Sequence, residues 1–600
     1  MKRMPKYILL ITCMCLHHFF AEAQQVPYHD LTHNSRVFGH PKAYRLYLPD
    51  TYAAGSERYP VVYFLHGWGG RHFSDDNAKL DYTALQQLVN KYRVIMVMWD
   101  GNIDESEPRP YNVGNHEDVK FRVQMKDYFP ELTAHIDSSC RTLTGREHRG
   151  IIGFSMGGIM AYYLGGRYPD KIGSIVSMTG SPEFFFGYPE NHTLYPVRYT
   201  FSNLKDVRVR MHTSPTDILY GLNEEVRAGA AWEGVSLNYQ SLDGGHMVDL
   251  PGETRVFESA LRFVADGFKH TLPAPLRWSH YDLYADFDVW GYKVESNLQQ
   301  PGYLHFKHAD KTGWGLYTHR WLPLGPAIAG VEAKVITAPV YEPGQQYQLL
   351  QYDLRTKKLH HEQLLADNNG RLHVKQSAAT ETGIYLKGDP AAWIGLDHNL
   401  RFLKNGQNSI LLRLLNRGGE EVQQLRVRIR TNDTAVTVLD SVVQVKADKR
   451  LLQLPPVRII SRKQPSLHGE PFEVKLLLQI NEMPEDEMIL PVWFDVPVLT
   501  DVRVEEAGDG FLLYKDSSRL RLYTEDKWVA AAEEKLADEV LPARWPDGFT
   551  LSSVIKIKPG CPKDHVITFL ASYETKTFNP IERIVRWGTV RIPVDSYKKR

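Results

Sequence analysis

The chain has 600 residues, 43% of them hydrophobic and 24% charged, and its 71 basic and 71 acidic side chains give a formal net charge of zero. This ordinary globular composition excludes disorder as the main state. The charge balance excludes the basic footprint of a nucleic-acid binder. At roughly 100–200 residues per domain the length predicts several domains, so one catalytic core would leave much of the chain over.

In chain order, the first residues read as an export signal. Lys2, Arg3 and Lys6 precede a mostly apolar run from Tyr7 to Phe20, and Ala21-Glu22-Ala23 has the small-x-small pattern of a cleavage site. This places a signal peptide at 1–23 and the start of the mature chain at Gln24, so the expected location is secreted or periplasmic. The apolar run is too short to span a bilayer comfortably, and no later stretch reads as transmembrane. Cys13 and Cys15 lie in the signal. Cys140 and Cys561 remain, far apart, which excludes a disulfide framework and a zinc site built on cysteine alone. The sequons at Asn191 and Asn432 read as accidental.

From about residue 35 to 268 the texture alternates. Continuous apolar runs at 61–65, 94–98, 151–154 and 175–178 read as buried parallel strands, joined by the alternating Val207–Met211. Helical patterns lie between them at Tyr82–Tyr92, at Arg122–Ser139 with Pro130 as a kink or break, and at Met156–Arg167, stopped by Pro169. Strand–helix–strand alternation predicts a parallel sheet covered on both faces. After His270 the helical patterns nearly vanish. Short alternating segments separated by turn residues at intervals of around ten carry the β-sandwich signature. Boundaries fall near 270–275, 386–392 and 500. The expected organisation is an α/β domain at 30–270, then two to three Ig-like or fibronectin-like modules at 275–388, 391–500 and 501–600. Trp528–Val540 reads as a helix in the last.

Gly153-Phe154-Ser155-Met156-Gly157 is G-x-S-x-G placed between a buried strand and a helix, the context of a nucleophile elbow. A serine hydroxyl needs a base, and in this architecture acid and then histidine follow the serine. His246, on the glycine-rich loop Asp243-Gly244-Gly245-His246, has the position of the base. Asp217, just beyond the strand at 207–211, has that of the orienting acid; it lies 62 residues after Ser155 and 29 before His246. Asp243 is the rival acid, on the same loop as the base, and Asp206 is disfavoured because it precedes its strand. The oxyanion needs preorganised donors. Met156 supplies one backbone N–H, and the turn His66-Gly67-Trp68-Gly69-Gly70 supplies a second from Gly67 or Trp68.

His66-Gly67-Trp68-Gly69-Gly70, Gly153-Phe154-Ser155-Met156-Gly157-Gly158 and Gly244-Gly245-His246 together resemble the putative esterase family of the α/β-hydrolases. That family includes esterase D, feruloyl and acetyl xylan esterases and mycolyltransferases. The resemblance covers roughly residues 35–268. It implies an α/β-hydrolase fold, a Ser155–Asp217–His246 triad, and an esterase that needs no metal or organic cofactor. With export and β-modules it implies acetyl or feruloyl esters of polysaccharides as substrates. The alternatives are an acyltransferase using the same triad, and a catalytically inactive carbohydrate-binding or scaffolding surface protein.

Other features have plainer readings. Asp75-Asp76 and Glu224-Glu225 could suggest paired glycosidase acids, but adjacent charges are usually solvated surface. His360-His361 lacks a surrounding ligand set. Trp290, Trp314, Trp321 and Trp393 could stack on sugars, but core filling is the commoner use. Lys598-Lys599-Arg600 reads as a solvated tail.

Overall fold

The structure, a computed structural model, describes residues 27–73, 82–102, 125–180, 183–188, 191–246, 255–299, 302–320, 327–396, 406–447, 449–462, 472–492, 498–516, 520–524, 526–534, 549–576 and 583–594. The signal segment 1–23, Asp75-Asp76, Trp321 and the tail 598–600 lie outside them. The chain divides into two compact units, Met1–Leu304 and His305–Arg600. No helix among the described residues is long and apolar enough to cross a membrane.

To Ser241 the first unit runs through β1 (His29–Asn34), β2 (Pro41–Tyr47), β3 (Val61–Leu65), β4 (Ile95–Trp99), β5 (Arg149–Phe154), β6 (Ser174–Met178), β7 (Glu183–Tyr188), β8 (Asn191–Pro196), β9 (Arg208–Thr213) and β10 (Leu237–Ser241). Eight of these form one sheet in the order β1-β2-β4-β3-β5-β6-β9-β10, while β7 and β8 pair as a separate hairpin. From β4 to β10 all neighbours are parallel; β1 and β2 join antiparallel at one edge.

Helices α1 (Tyr82–Tyr92), α2 (Met125–Ser139), α3 (Met156–Arg167), α4 (Tyr220–Glu233) and α5 (Arg255–Gly267) cover both faces. Val61, Tyr63, Leu65, Ile95, Val97 and Ile151 pack with α2, α3 and α4. Val62, Phe64, Met96, Met98, Ile152 and Phe154 pack with α1 and α5. Alternate residues of each strand therefore enter different cores, and the strands read as unbroken apolar runs because both faces are covered. Pro130 does not break α2. Proline has no N–H to give the carbonyl four residues back, that of Lys126, and the Tyr168 hydroxyl donates to that carbonyl instead.

Past residue 270 the first unit continues through β11 (Trp278–Asp282), β12 (Asp286–Val289) and β13 (Tyr292–Ser296). Tyr281, Leu283 and Tyr303 belong to the core beneath α3. The Asn203 side chain brackets the Tyr281 backbone, donating to its carbonyl and accepting from its N–H, both at 2.8 Å. The Arg167 guanidinium, at the end of α3, forms a buried ion pair with Asp282, and His280 lies 3.0 Å from the same carboxylate.

The second unit is built of antiparallel strands in several separate sheets. Gly313–Arg320, Ala379–Tyr385, Gln346–Asp353 and Lys358–Leu365 are successive neighbours in one. Val442–Lys446, Gln424–Arg430, Phe472–Ile480 and Asp486–Val492 form another over its own core. A third core lies between the sheets formed after Val502. Of the helix expected at Trp528–Val540, the described part is β instead: Val529–Glu534 is a strand paired with Phe549–Ile557, and 535–540 lie outside the described residues. The Ala-Ala-Ala-Glu-Glu composition favours a helix locally, and sheet pairing overrides it. Trp314 and Trp393 are core residues. Trp290 is half-buried, 5.0 Å from the Arg146 guanidinium, so these side chains serve packing rather than open platforms.

Candidate active site

Ser155 sits at the turn from β5 into α3 with φ 49° and ψ −115°. An L-residue holds such a conformation only where its surroundings impose it, at a cost of order 1–3 kcal/mol. The surroundings here are glycine contacts. A Cβ on Gly153 would meet the Gly157 carbonyl oxygen at 2.0 Å, and one on Gly157 would meet the Leu65 carbonyl oxygen at 2.1 Å. The Ser155 N–H donates to the Met178 carbonyl at 3.0 Å, tying the elbow to the end of β6.

The sequence-predicted partners converge on this serine. His246 Nε2 is 2.9 Å from Ser155 Oγ, and His246 Nδ1 is 3.1 Å from both carboxylate oxygens of Asp217. The Asp217 side chain is fully buried, and its Oδ1 also accepts the Leu219 N–H at 2.6 Å. A carboxylate can only accept, so the imidazole hydrogen belongs on Nδ1 and Nε2 faces the seryl hydroxyl as an acceptor. The loop carrying His246 is pinned from the β9 side, where the hydroxyls of Ser214 and Thr216 both donate to the Gly244 carbonyl. The Phe154 ring lies 5.3 Å from the His246 ring. Ser155, Asp217 and His246 thus lie in one hydrogen-bonded line, although 62 and 29 residues separate them in sequence.

The rival acids are elsewhere. Asp243 is exposed, and His246 Nδ1 faces Asp217 instead. The Asp206 carbonyl accepts from Arg146 at the opposite end of β9. Burial raises the Asp206 carboxyl above its ordinary value. Glu224 accepts the Tyr239 hydroxyl at 2.7 Å and pairs with Arg227, while His360 and His361 lie on an exposed strand. Among the described residues no group of three or more His, Cys, Asp or Glu side chains is arranged to hold a metal ion. Cys140 and Cys561 are both free thiols.

The loop after β3 reaches Ser155. A Cβ on Gly67 would lie 2.9 Å from the Phe154 ring and 3.3 Å from Ser155 Cβ, so only glycine lets this backbone approach so closely. Met156 opens α3 directly beside the serine. Sequence reasoning missed the residues behind the loop. The buried His66 and Asp100 form a network there with the partly exposed Arg71, and only the placement of His66 before the glycines hinted at it.

A doubly covered sheet of this strand order, with a serine elbow beyond β5 and a Ser–His–Asp line above it, has the architecture of an α/β-hydrolase-type domain. Residues 35–213 match the family described as "Putative esterase", a stretch that takes in the first two glycine motifs, at 66–70 and 153–158, and stops short of Gly244-Gly245-His246. An esterase of Mycobacterium tuberculosis is 30% identical over 135 residues, which are 22% of this chain and 28% of that protein. A pimeloyl-[acyl-carrier protein] methyl ester esterase of Neisseria meningitidis is 30% identical over 115 residues, covering 19% of this chain and 34% of its own. The match therefore spans about a third or less of these relatives' own length. Among solved structures, a ferulic acid esterase is 20% identical and covers 40% of this chain and 98% of its own, with a TM-score of 0.33. An S-formylglutathione hydrolase from Staphylococcus aureus is 17% identical and covers 40% and 96%, with a TM-score of 0.32.

Proposed function

We propose that this chain is an exported serine ester hydrolase working through an acyl-enzyme, with Ser155, His246 and Asp217 as its catalytic residues. The observation that carries the reading is the 2.9 Å approach of His246 Nε2 to Ser155 Oγ with Asp217 behind Nδ1. Ser155 Oγ attacks the ester carbonyl as its proton passes to His246 Nε2. Asp217 keeps the ring in the correct tautomer and stabilises its cation. The backbone N–H of Met156 and one N–H of the Gly67–Trp68 segment bind the oxyanion. Collapse breaks the ester C–O bond, and His246 returns the proton to the departing alcohol. A water, deprotonated by His246, then attacks the acyl-enzyme and releases the acid and free Ser155.

Acetyl or feruloyl esters of polysaccharides are the substrate class we favour. The match to the esterase family and the β-rich second unit support it. In this reading the second unit comprises Ig-like or fibronectin-like sandwich modules, and residues 1–23 direct export.

Replacing Ser155 by Ala should abolish hydrolysis of p-nitrophenyl acetate and release of ferulate or acetate from acylated xylan, with the melting temperature unchanged. A Ser155→Ala protein that keeps full activity would overturn the assignment.

A further inference from the structure

The reaction above needs a second oxyanion donor, and the glycine motif alone leaves Gly67 and Trp68 open. The structure holds the peptide between them from one side. The Gly67 carbonyl accepts the Gly70 N–H at 3.2 Å, closing a tight turn in which Gly69 has φ 72°. The same carbonyl lies 2.9 Å from His66 Nδ1. On the other edge of that ring, the Gly101 N–H donates to His66 Nε2 at 2.9 Å. A backbone N–H can only donate, so Nε2 is the bare nitrogen and Nδ1 carries the hydrogen given to Gly67. The ring is buried, and burial lowers its pKa to about 4, which keeps this neutral tautomer at neutral pH. A Cβ on Gly70 would meet His66 Cβ at 2.9 Å, so the turn closes directly onto the imidazole.

The Gly101 N–H is itself held in place. Asp100 Oδ1 accepts the Asn102 N–H at 3.1 Å, an Asx turn that fixes the peptide between them. Asp100 Oδ2 accepts from Arg71 Nε at 2.8 Å and Arg71 Nη2 at 2.6 Å, and His72 Nδ1 lies 3.4 Å away. Burial alone would raise the Asp100 carboxyl, but hydrogen bonds from His72 and Arg71 outweigh it and hold the group well below the usual carboxylate range. The loop 66–72 and the turn 100–102 are therefore joined at two places, with His66 as the inner strut.

We propose that His66 is a positioning residue: by holding the Gly67 carbonyl it turns the Trp68 N–H toward the oxyanion, making Trp68 and Met156 the donor pair. This inference rests on the esterase reading. In a trans peptide the C=O and N–H point in opposite directions, so a carbonyl drawn to the imidazole sends the Trp68 N–H away from it. Gly67 packs against Ser155 and Phe154, so the peptide it shares with Trp68 lies beside the serine.

The test is kcat and KM for p-nitrophenyl acetate in the full mature chain with His66→Leu and His66→Asn, beside wild type and Ser155→Ala. Leu has the branching of Asn but no donor, whereas the Asn amide can donate to Gly67 where Nδ1 does. His66→Leu should lose about 10–100-fold in kcat with KM within about twofold, because a donor moved off its target costs on that order. His66→Asn should recover at least tenfold over Leu. If wild type shows no Ser155-dependent turnover, the esterase reading fails and this inference with it. If wild type turns over and a folded His66→Leu keeps its kcat, or Asn recovers nothing over Leu, the inference alone fails. Should Leu fail to fold, His66→Asn with wild-type KM and kcat within tenfold still supports the donor role, and a larger kcat loss overturns it.

Discussion

Asp217 keeps no side-chain surface; both of its oxygens face the His246 ring, and Oδ1 also accepts the Leu219 N–H. Replacing the carboxylate by an amide would leave the shape intact but offer the ring a donor, allowing the tautomer with hydrogen on Nε2, which cannot take the seryl proton. Asp217→Asn is therefore expected to lower kcat by about 10⁴ with little change in KM or melting temperature. Undiminished turnover would remove Asp217 from the orienting role and point to Asp243. Strand order alone marked Asp217 in the sequence, since the acid of such a site follows the strand before the histidine loop. His66 was legible only as part of a glycine motif. Its role depends on the Gly101 N–H, 35 residues away, and no local pattern encodes that meeting.

At the scale of elements, the elbow joins two glycines, one strand and one helix into a single constraint. Gly157 faces the Leu65 and His66 carbonyl oxygens, at 2.1 and 2.7 Å from where a Cβ would stand. Backbone atoms cannot yield as a side-chain tip can, so α3 would have to slide away from the end of β3, carrying Ser155 with it. Gly157→Ala should cost about 1–3 kcal/mol and at least tenfold in kcat. Gly221→Ala, in α4 with nothing within 4 Å of its Cβ, should be neutral or slightly stabilising. Equal melting temperatures and rates for the two variants would contradict the packing argument. The strands around the elbow were readable because burial on both faces leaves no polar alternation. β1 was not, since His29–Asn34 is polar, mostly exposed and ordered by pairing with β2. Val529–Glu534 was misread for the converse reason: its residues suit a helix, and only its partner strand makes it β.

At the scale of the whole molecule, the change of texture near residue 270 marks where helices stop, while the packing of the first unit continues to Leu304. Composition reports the kind of secondary structure, not which core a segment joins, and this segment joins the core under α3 through Tyr281, Leu283 and Tyr303. Asp282 neutralises Arg167, whose side chain is only 4% exposed. Burial alone would raise the Asp282 carboxyl, but the Arg167 charge and the His280 hydrogen bond more than reverse it, so the pair is ionised. Removing one partner of such a pair strands the other charge in the core, at a cost of about 3–5 kcal/mol. A chain ending at residue 270 would lose Asp282 and three core aromatic or aliphatic side chains at once. One ending at 304 would keep them all. We therefore expect a 24–304 fragment to retain Ser155-dependent ester hydrolysis, and a 24–270 fragment to aggregate or melt far below it. The single substitution Asp282→Ala in the full chain should reproduce part of that loss, lowering the melting transition of the first unit by several degrees or more. Thermal unfolding read alongside p-nitrophenyl acetate turnover separates the outcomes. A 24–270 fragment as stable and active as 24–304 would mean that β11 to β13 merely rest on the α/β domain rather than complete its core.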